Sequence, residues 1–224
     1  MNEDYKRLVQ ARKECQACTA GSGTDLLNGS SFPFDPGVVS HWSQWLGHQH
    51  PRLVVVGQDF SDAAYFLRYR GQDDPKSQTN KNLHKLLEAA GILVGRPPVR
   101  DHAAAVYLTN SILCIKAGGM ATSIRDAWVR KCAQKHLSPL LDHLRPQFVV
   151  AMGRHAWNAM WLRYPAMGMP KGIKEAAGRC WLAPDGIRVF AVGHCSGLGL
   201  VNRPWEQQLS DWQAIGKTMN SPAH

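Results

Sequence analysis

Three polar side chains follow three apolar runs of the sequence, and together they form a candidate reaction centre. Arg52–Gly57 (RLVVVG) leads into Gln58 and Asp59; Ala105–Asn110 (AVYLTN) ends on Asn110; Arg188–Gly193 (RVFAVG) leads into His194. A carboxylate can orient water or steady a positive charge. An amide offers a donor and an acceptor side by side, and an imidazole can give a hydrogen bond to a group that gains negative charge. Singly, each has a plainer reading: an Asp after a strand caps a helix, an Asn makes a turn, and a lone His is a hydrogen-bonded loop residue. Three on one rim point to chemistry.

The cysteines supply a second constellation: Cys15, Cys18, Cys114, Cys132, Cys180 and Cys195. Cys15 and Cys18 form a C-x-x-C pair, which in a reducing compartment reads as metal binding or redox chemistry. A thioredoxin-type pair sits between a strand and a helix. This one follows a charged helical stretch and precedes any strand, so a metal is preferred. Four thiolates suit a [4Fe–4S] cluster or a tetrahedral zinc. Cys180 reads as a small packed hydrophobe.

The elements that must position these groups are legible as patterns. With Gln147–Gly153 (QFVVAMG), there are four short, unalternating apolar runs, which is how strands buried on both faces read. Helical patterns cover residues 4–14, Thr79–Ala90 with Gly91 as the C′ residue, Arg154–Arg163 and Pro204–Lys217. Another covers Ser123–Leu144, opening on Ser123 and Asp126 at capping-box spacing and broken at Ser138–Pro139. Residues 19–50 are irregular and polar, and His41, His48 and His50 read there as solvated. Trp157 and Trp161, four apart, read as helix-face packing. Strands alternating with helices give an α/β fold: a three-layer α/β/α sandwich with a central four-stranded, mostly parallel sheet. We expect one domain over residues 1–224, with residues 1–50 as a metal-binding segment and wrapping loop. Ligands in such sheets bind beyond the carboxyl ends of the strands, where Asp59, Asn110 and His194 stand.

Composition bounds the partners. The chain has 224 residues, 44% apolar and 19% charged, which excludes a disordered chain. No run approaches the ~18 apolar residues of a membrane span, and the charged N-terminus is unlike a secretory signal, so a cytoplasmic location away from membranes is expected. Net charge is +9, and residues 116–179 carry 11 Lys/Arg against 3 Asp/Glu. That basic half suits a polyanion such as nucleic acid; the plainer reading is a solvated basic surface.

Several motifs resemble the uracil-DNA glycosylase superfamily. Gly57-Gln58-Asp59 resembles the start of the water-activating loop of its best-known branch, which continues Pro-Tyr-His. His194-Cys195-Ser196-Gly197-Leu198 resembles its second motif, His-Pro-Ser-Pro-Leu. Leu108-Thr109-Asn110-Ser111-Ile112-Leu113-Cys114 resembles the Thr-Asn-x-x-Lys-Cys segment of the iron–sulfur branch, as does Asn202-Arg203-Pro204. The resemblance implies a [4Fe–4S] cluster on Cys15, Cys18, Cys114 and Cys132. It also implies catalysis by Asp59 and His194, with base contacts from Gln58, Phe60 and Asn110. DNA contacts would come from Ser196, Lys116 and the wedge residue Leu198.

The chain also departs from the pattern. Phe60 and Ser61 stand where the best-known branch has Pro and Tyr, and Cys195 replaces Pro, as a simple substitute or an oxidation-sensitive residue. The stretch Gln72 to Pro75, which would hold an aromatic base platform, contains none; Phe60, Tyr65, Phe66 and Tyr69 are the alternatives. The resulting expectation is a repair glycosylase acting as a monomer on DNA that contains uracil or a related deaminated base. It is expected to be monofunctional, because no lysine stands in an evident nucleophile position. Two rivals are a catalytically silent DNA-binding protein of the same fold and an iron–sulfur redox sensor.

Overall fold

The computed structural model describes residues 3–19, 25–34, 50–71, 74, 76–94, 106–119 and 121–221. The chain opens with α1 (Glu3–Lys13) and the two-residue β1 (Leu26–Leu27), then enters the central sheet at β2 (Leu53–Gly57). Next come α2 (Ala63–Tyr69), α3 (Gln78–Ala89), β3 (Val106–Asn110) and β4 (Ile115–Lys116). They are followed by α4 (Asp126–Cys132), α5 (Ser138–Leu144), β5 (Phe148–Met152), α6 (Arg154–Arg163) and α7 (Ile173–Ala176). Then come β6 (Cys180–Leu182), β7 (Arg188–Val192), α8 (Gly197–Asn202) and α9 (Trp205–Asn220).

The sheet order is β3-β2-β5-β7-β6, parallel except for β6, which pairs antiparallel with β7. The four parallel strands are apolar except at the ends of β3 (Thr109, Asn110) and the start of β7 (Arg188), because both faces are covered. Val54, Val56, Val149 and Ala151 pack with Tyr5, Val129, Leu140 and Trp157 on one face. Leu53, Val55, Phe148 and Val150 pack with Leu83, Leu87, Trp212 and Ile215 on the other. Three α/β/α layers result. The chain leaves β2 for β3 on one side and returns to β5 on the other, so a topological switch point opens between the carboxyl ends of β2 and β5.

The structure adds a fifth strand to the four expected. β6 is a three-residue edge strand with Cys180 exposed and Leu182 mostly exposed, so it carries no apolar run; Cys180 is not a packed hydrophobe. Leu26 and Leu27 pair with Lys116 and Ile115 in a separate two-stranded ladder. The helix before β5 starts at Asp126 behind Arg125, without a side-chain cap, so Ser123 lies outside the helix and the capping box does not form. Its expected break at Ser138–Pro139 is a π-helical stretch, Ala133–Leu137, that leaves the helix continuous. Proline conflicts with the carbonyl four residues back, Lys135, and the wider turn falls there. α2, which no sequence pattern marked, starts at Asp62, whose carboxylate accepts from Tyr65 N–H. Gly91 is C′ as expected (φ 73°): Ile92 and Gly91 N–H donate to Leu87 and Glu88 C=O, each at 2.9 Å. Trp157 and Trp161 are helix-face packing, their indole N–H groups donating to Pro170 and Met169 carbonyls. His50 is exposed, whereas His41 and His48 lie outside the described residues.

Candidate active site

A cleft opens at the switch point. Gln58, Asp59 and Phe60 line it from the end of β2, Gly153 and His155 from the end of β5, and Gly193 and His194 from the end of β7. Asp59 is held on both oxygens: Gln58 Nε2 donates to Oδ2 at 2.7 Å, and Lys116 Nζ lies 3.6 Å from Oδ1. The Asp59 and Lys116 side chains are only 6% and 5% exposed. Asp62, not Asp59, caps the following helix, which leaves Asp59 aimed into the cleft.

Asn110 ends β3 opposite Gly57 in the register, and it is fully buried. Neither its Nδ2 nor its Oδ1 has a hydrogen-bond partner among the described residues. Gly57 makes room for it, since a Cβ there would stand 2.5 Å from Asn110 Oδ1. Asn110 does not itself line the open cleft; it sits against Gly57, whose next two residues do. An amide left with four unsatisfied hydrogen-bonding positions in a buried place is expensive unless a ligand completes it.

His194 is fixed in orientation and tautomer. Ser196 N–H donates to Nδ1 at 3.1 Å, with Ser196 Oγ 2.9 Å from the same atom. A nitrogen that accepts from a backbone N–H carries no proton, so the neutral ring bears its proton on Nε2. Burial holds the imidazole below its ordinary pKa, opposed by the Asp59 carboxylate. The ring therefore favours the neutral form, with Nε2–H free to donate. Gly153 (φ 86°) lets the ring lie close, since a Cβ there would be 3.0 Å from His194 Cβ. From α9, Gln208 Nε2 donates to the carbonyls of His194 and Arg203. Cys195 is fully buried; Asn82 Nδ2 donates to its carbonyl at 2.7 Å, and burial pushes its thiol up to about 12. Its thiol points at Thr79 C=O, 3.4 Å away.

Around this centre stand the other expected contacts. Phe60 and Tyr65 line the cleft, whereas Phe66 is fully buried beneath them, 5.4 Å from Phe60 ring to ring. Tyr69 does not line the cleft, and its hydroxyl donates to Asp74. The aromatic candidates thus narrow to Phe60 and Tyr65; of the Gln72 to Pro75 stretch, only Asp74 lies within the described residues. Ser196 lines the cleft, and its hydroxyl is engaged with His194 and with Gly199 N–H as the cap of α8. Leu198 projects from α8 at the rim, 76% exposed. Lys116, expected on phosphates, is instead buried against Asp59. The exposed cations at the rim are Arg154 and Lys174, both from the basic 116–179 region.

His155 was not anticipated in the cleft, and Lys116, anticipated on phosphates, turns inward to Asp59. His155 stands just after β5, and reading polar residues at every strand end would have found it. Arg154 donates to its Nε2, and burial lowers its pKa, with the Arg154 charge acting the same way. For Lys116 the sequence holds no such signal, because the fold alone turns the side chain inward.

A second pocket is lined by Cys15, Cys18, Cys114 and Cys132 together with Arg12 and His136. Burial raises the Cys18 thiol, pushes Cys114 up to about 12 and drives Cys132 well upward, and the neighbouring cysteines add to each shift. Leu113 N–H points at Cys132 Sγ, 3.3 Å away. Among the described residues, no group of three or more His, Cys, Asp and Glu side chains is placed to hold one metal ion. A single tetrahedral ion would need the sulfurs within about 4 Å of one another, given a metal–sulfur bond of ~2.3 Å.

A carboxylate, an imidazole and an amide without a hydrogen-bond partner among the described residues thus stand at the carboxyl ends of the strands of this α/β sheet. The chain matches the uracil DNA glycosylase superfamily over residues 44–213, and it belongs to that superfamily. The match contains Asp59, Asn110, Cys114, Cys132 and His194, whereas Cys15 and Cys18 lie before it. No curated protein matches the chain.

Proposed function

We propose that this protein removes uracil or a closely related deaminated base from DNA by hydrolysing its N-glycosidic bond. The observation that carries the reading is Asn110: a buried amide whose donor and acceptor both lack a partner, beside the loop that presents Asp59. Uracil offers N3–H to the amide oxygen and O4 to its NH₂. Cytosine presents the reverse pattern and would leave both groups unpaired. A base within a duplex must first leave the stack. Leu198 fills the space it vacates, Arg154 and Lys174 meet phosphates, and Phe60 or Tyr65 covers the face of the extruded base.

Cleavage leaves positive charge on the sugar and negative charge on the base. Asp59, fixed by Gln58 and Lys116, steadies the cationic sugar and orients the attacking water. His194 donates from Nε2 to the base O2 as charge gathers there, which a neutral imidazole held on Nδ1 does without first losing a proton. Cys15, Cys18, Cys114 and Cys132, which line one pocket, would hold a [4Fe–4S] cluster between α1, the segment after Asn110 and α4. The cluster supplies cross-linking of these elements, and no step of base release passes through it. Six unpaired cysteines suit a reducing compartment.

The test is base release from uracil-containing single- and double-stranded oligonucleotides, with Asp59→Asn alongside. We expect free uracil and an abasic product from the wild type, and release at least 10²-fold slower in Asp59→Asn. Tight DNA binding without release of any base would favour a silent binding protein and overturn the proposal.

A further inference from the structure

Ser61 holds a backbone conformation that side chains resist. Its φ is 135°, in the region that favours glycine. The neighbours fix it there. Phe60 packs edge-on against Phe66, and Asp62 caps α2. Lys116 N–H donates to Ser61 C=O at 3.3 Å, and Lys116 also bridges to Asp62. Glycine would sit here without strain, so a serine at this place calls for a use of its side chain. The chain itself makes none: Ser61 Oγ is buried and has no hydrogen-bond partner among the described residues. Ser61 lines the cleft. A hydroxyl with no bond to lose turns about Cα–Cβ to meet a ligand, and it can both donate and accept.

We infer that Ser61 reads the C5 position of the bound base, and that this protein also releases uracils whose C5 substituent carries an oxygen, the products of thymine oxidation. The inference rests on the proposed base release and its pose. In that pose the N3–O4 edge meets Asn110 at the end of β3, and O2 meets His194 at the end of β7. The line from O2 to O4 therefore crosses the sheet from β7 toward β3. C5 stands opposite C2 across the ring, so it faces away from His194 and toward β2 and β3. Ser61 stands on that side: it follows β2, and its carbonyl is bonded to Lys116, beyond β3. The cleft holds about 950 Å³, which leaves room for a substituted pyrimidine. A hydroxymethyl or formyl group gives Ser61 Oγ the partner it lacks. The methyl of thymine fills the same space and leaves the hydroxyl buried and unpaired. The hydrolysis itself is unchanged: water adds at C1′, and the base leaves with the electron pair of the glycosidic bond.

The experiment measures single-turnover base release by the full chain from oligonucleotides that carry uracil, thymine or 5-hydroxymethyluracil at one position. Thymine and 5-hydroxymethyluracil differ by a single hydroxyl. We expect 5-hydroxymethyluracil to leave at least 10-fold faster than thymine in the wild type. In Ser61→Gly and Ser61→Ala, the ratio of 5-hydroxymethyluracil release to uracil release should fall at least 10-fold. A thermal melt separates this role from a structural one. Ser61→Gly should melt at a higher temperature than the wild type, because glycine relieves the strained φ, so the variant stays folded while it loses selectivity. A lower melting temperature in Ser61→Gly overturns the inference, since the hydroxyl would then serve the fold. Equal release of thymine and 5-hydroxymethyluracil overturns it as well, as does a release ratio that both variants leave unchanged. Uracil is scored in the same assay. Its release without that of 5-hydroxymethyluracil overturns this inference alone, whereas release of no base at all overturns the base-release reading beneath it.

Discussion

Gly57→Ala tests whether the position of the Asn110 amide governs base release. The added methyl would stand 2.5 Å from Asn110 Oδ1. An ordinary carbon–oxygen contact is about 3.3–3.6 Å, so the amide must move by roughly 1 Å. A misplacement of that size costs about 10²-fold in rate. Stability changes less: crowding costs ~1–3 kcal/mol, offset by ~0.4–1 kcal/mol from the lost freedom of an unfolded glycine. The variant should therefore fold and bind DNA while releasing uracil about 10²-fold more slowly, as measured by single-turnover base release beside a thermal melt. The double variant isolates the cause. If the methyl acts through Asn110, it should add nothing in an Asn110→Ala background, because the clash is gone. A wild-type rate in Gly57→Ala, or an undiminished loss on top of Asn110→Ala, would refute the reasoning.

Four further outcomes follow from the same geometry. His194→Ala should slow base release ~10²–10³-fold, the usual loss on removing one donor to a developing anion, while DNA affinity in a mobility-shift assay holds within a few-fold. Burial lowers the His194 and His155 pKa values, so the unfolded chain takes up these protons first and stability falls as pH drops through about 6.5. Urea unfolding at pH 7.5, 6.5 and 5.5 should show a shallower acid-side slope in His194→Asn/His155→Asn, and an unchanged slope would discount these imidazoles. Lys174→Ala should weaken DNA binding evenly across sequences and reduce the salt slope by about 1, read from titrations at several salt concentrations. Cys114→Ser should lose iron and visible absorbance together and lower the melting temperature, whereas loss of zinc in its place would overturn the cluster assignment.

The parts of the fold that the sequence made legible are those in which burial alone dictates the pattern. Leu53–Gly57 and Phe148–Met152 are covered on both faces, so their apolar runs admit little else. β6 escaped because a three-residue edge strand with two exposed side chains needs no apolar run; its order comes from pairing with β7. α2 escaped because its seven residues bury only Phe66, too few apolar positions to set a helical period. The aromatic residues around Phe66 show the same limit. Phe60, Tyr65 and Phe66 are alike in sequence, and only the packing of Phe32 and Phe34 against Phe66 decides which of them turns inward.

The site divides along a similar line. The placement of Asp59, Asn110 and His194 at the strand ends was legible because buried parallel strands mark their own ends in the sequence. Their states were not, since those depend on groups remote in sequence. Ser196 N–H sets the His194 tautomer from within the loop, but burial sets its charge. Lys116, more than fifty residues from Asp59, reaches that carboxylate only because β4 pairs with β1 and hydrogen-bonds to the loop at Ser61. A lysine counted from composition is part of a basic surface. The same lysine, with its backbone locked and its amine 3.6 Å from Asp59, is part of the candidate site. The difference lies in a two-residue strand that no periodicity could reveal.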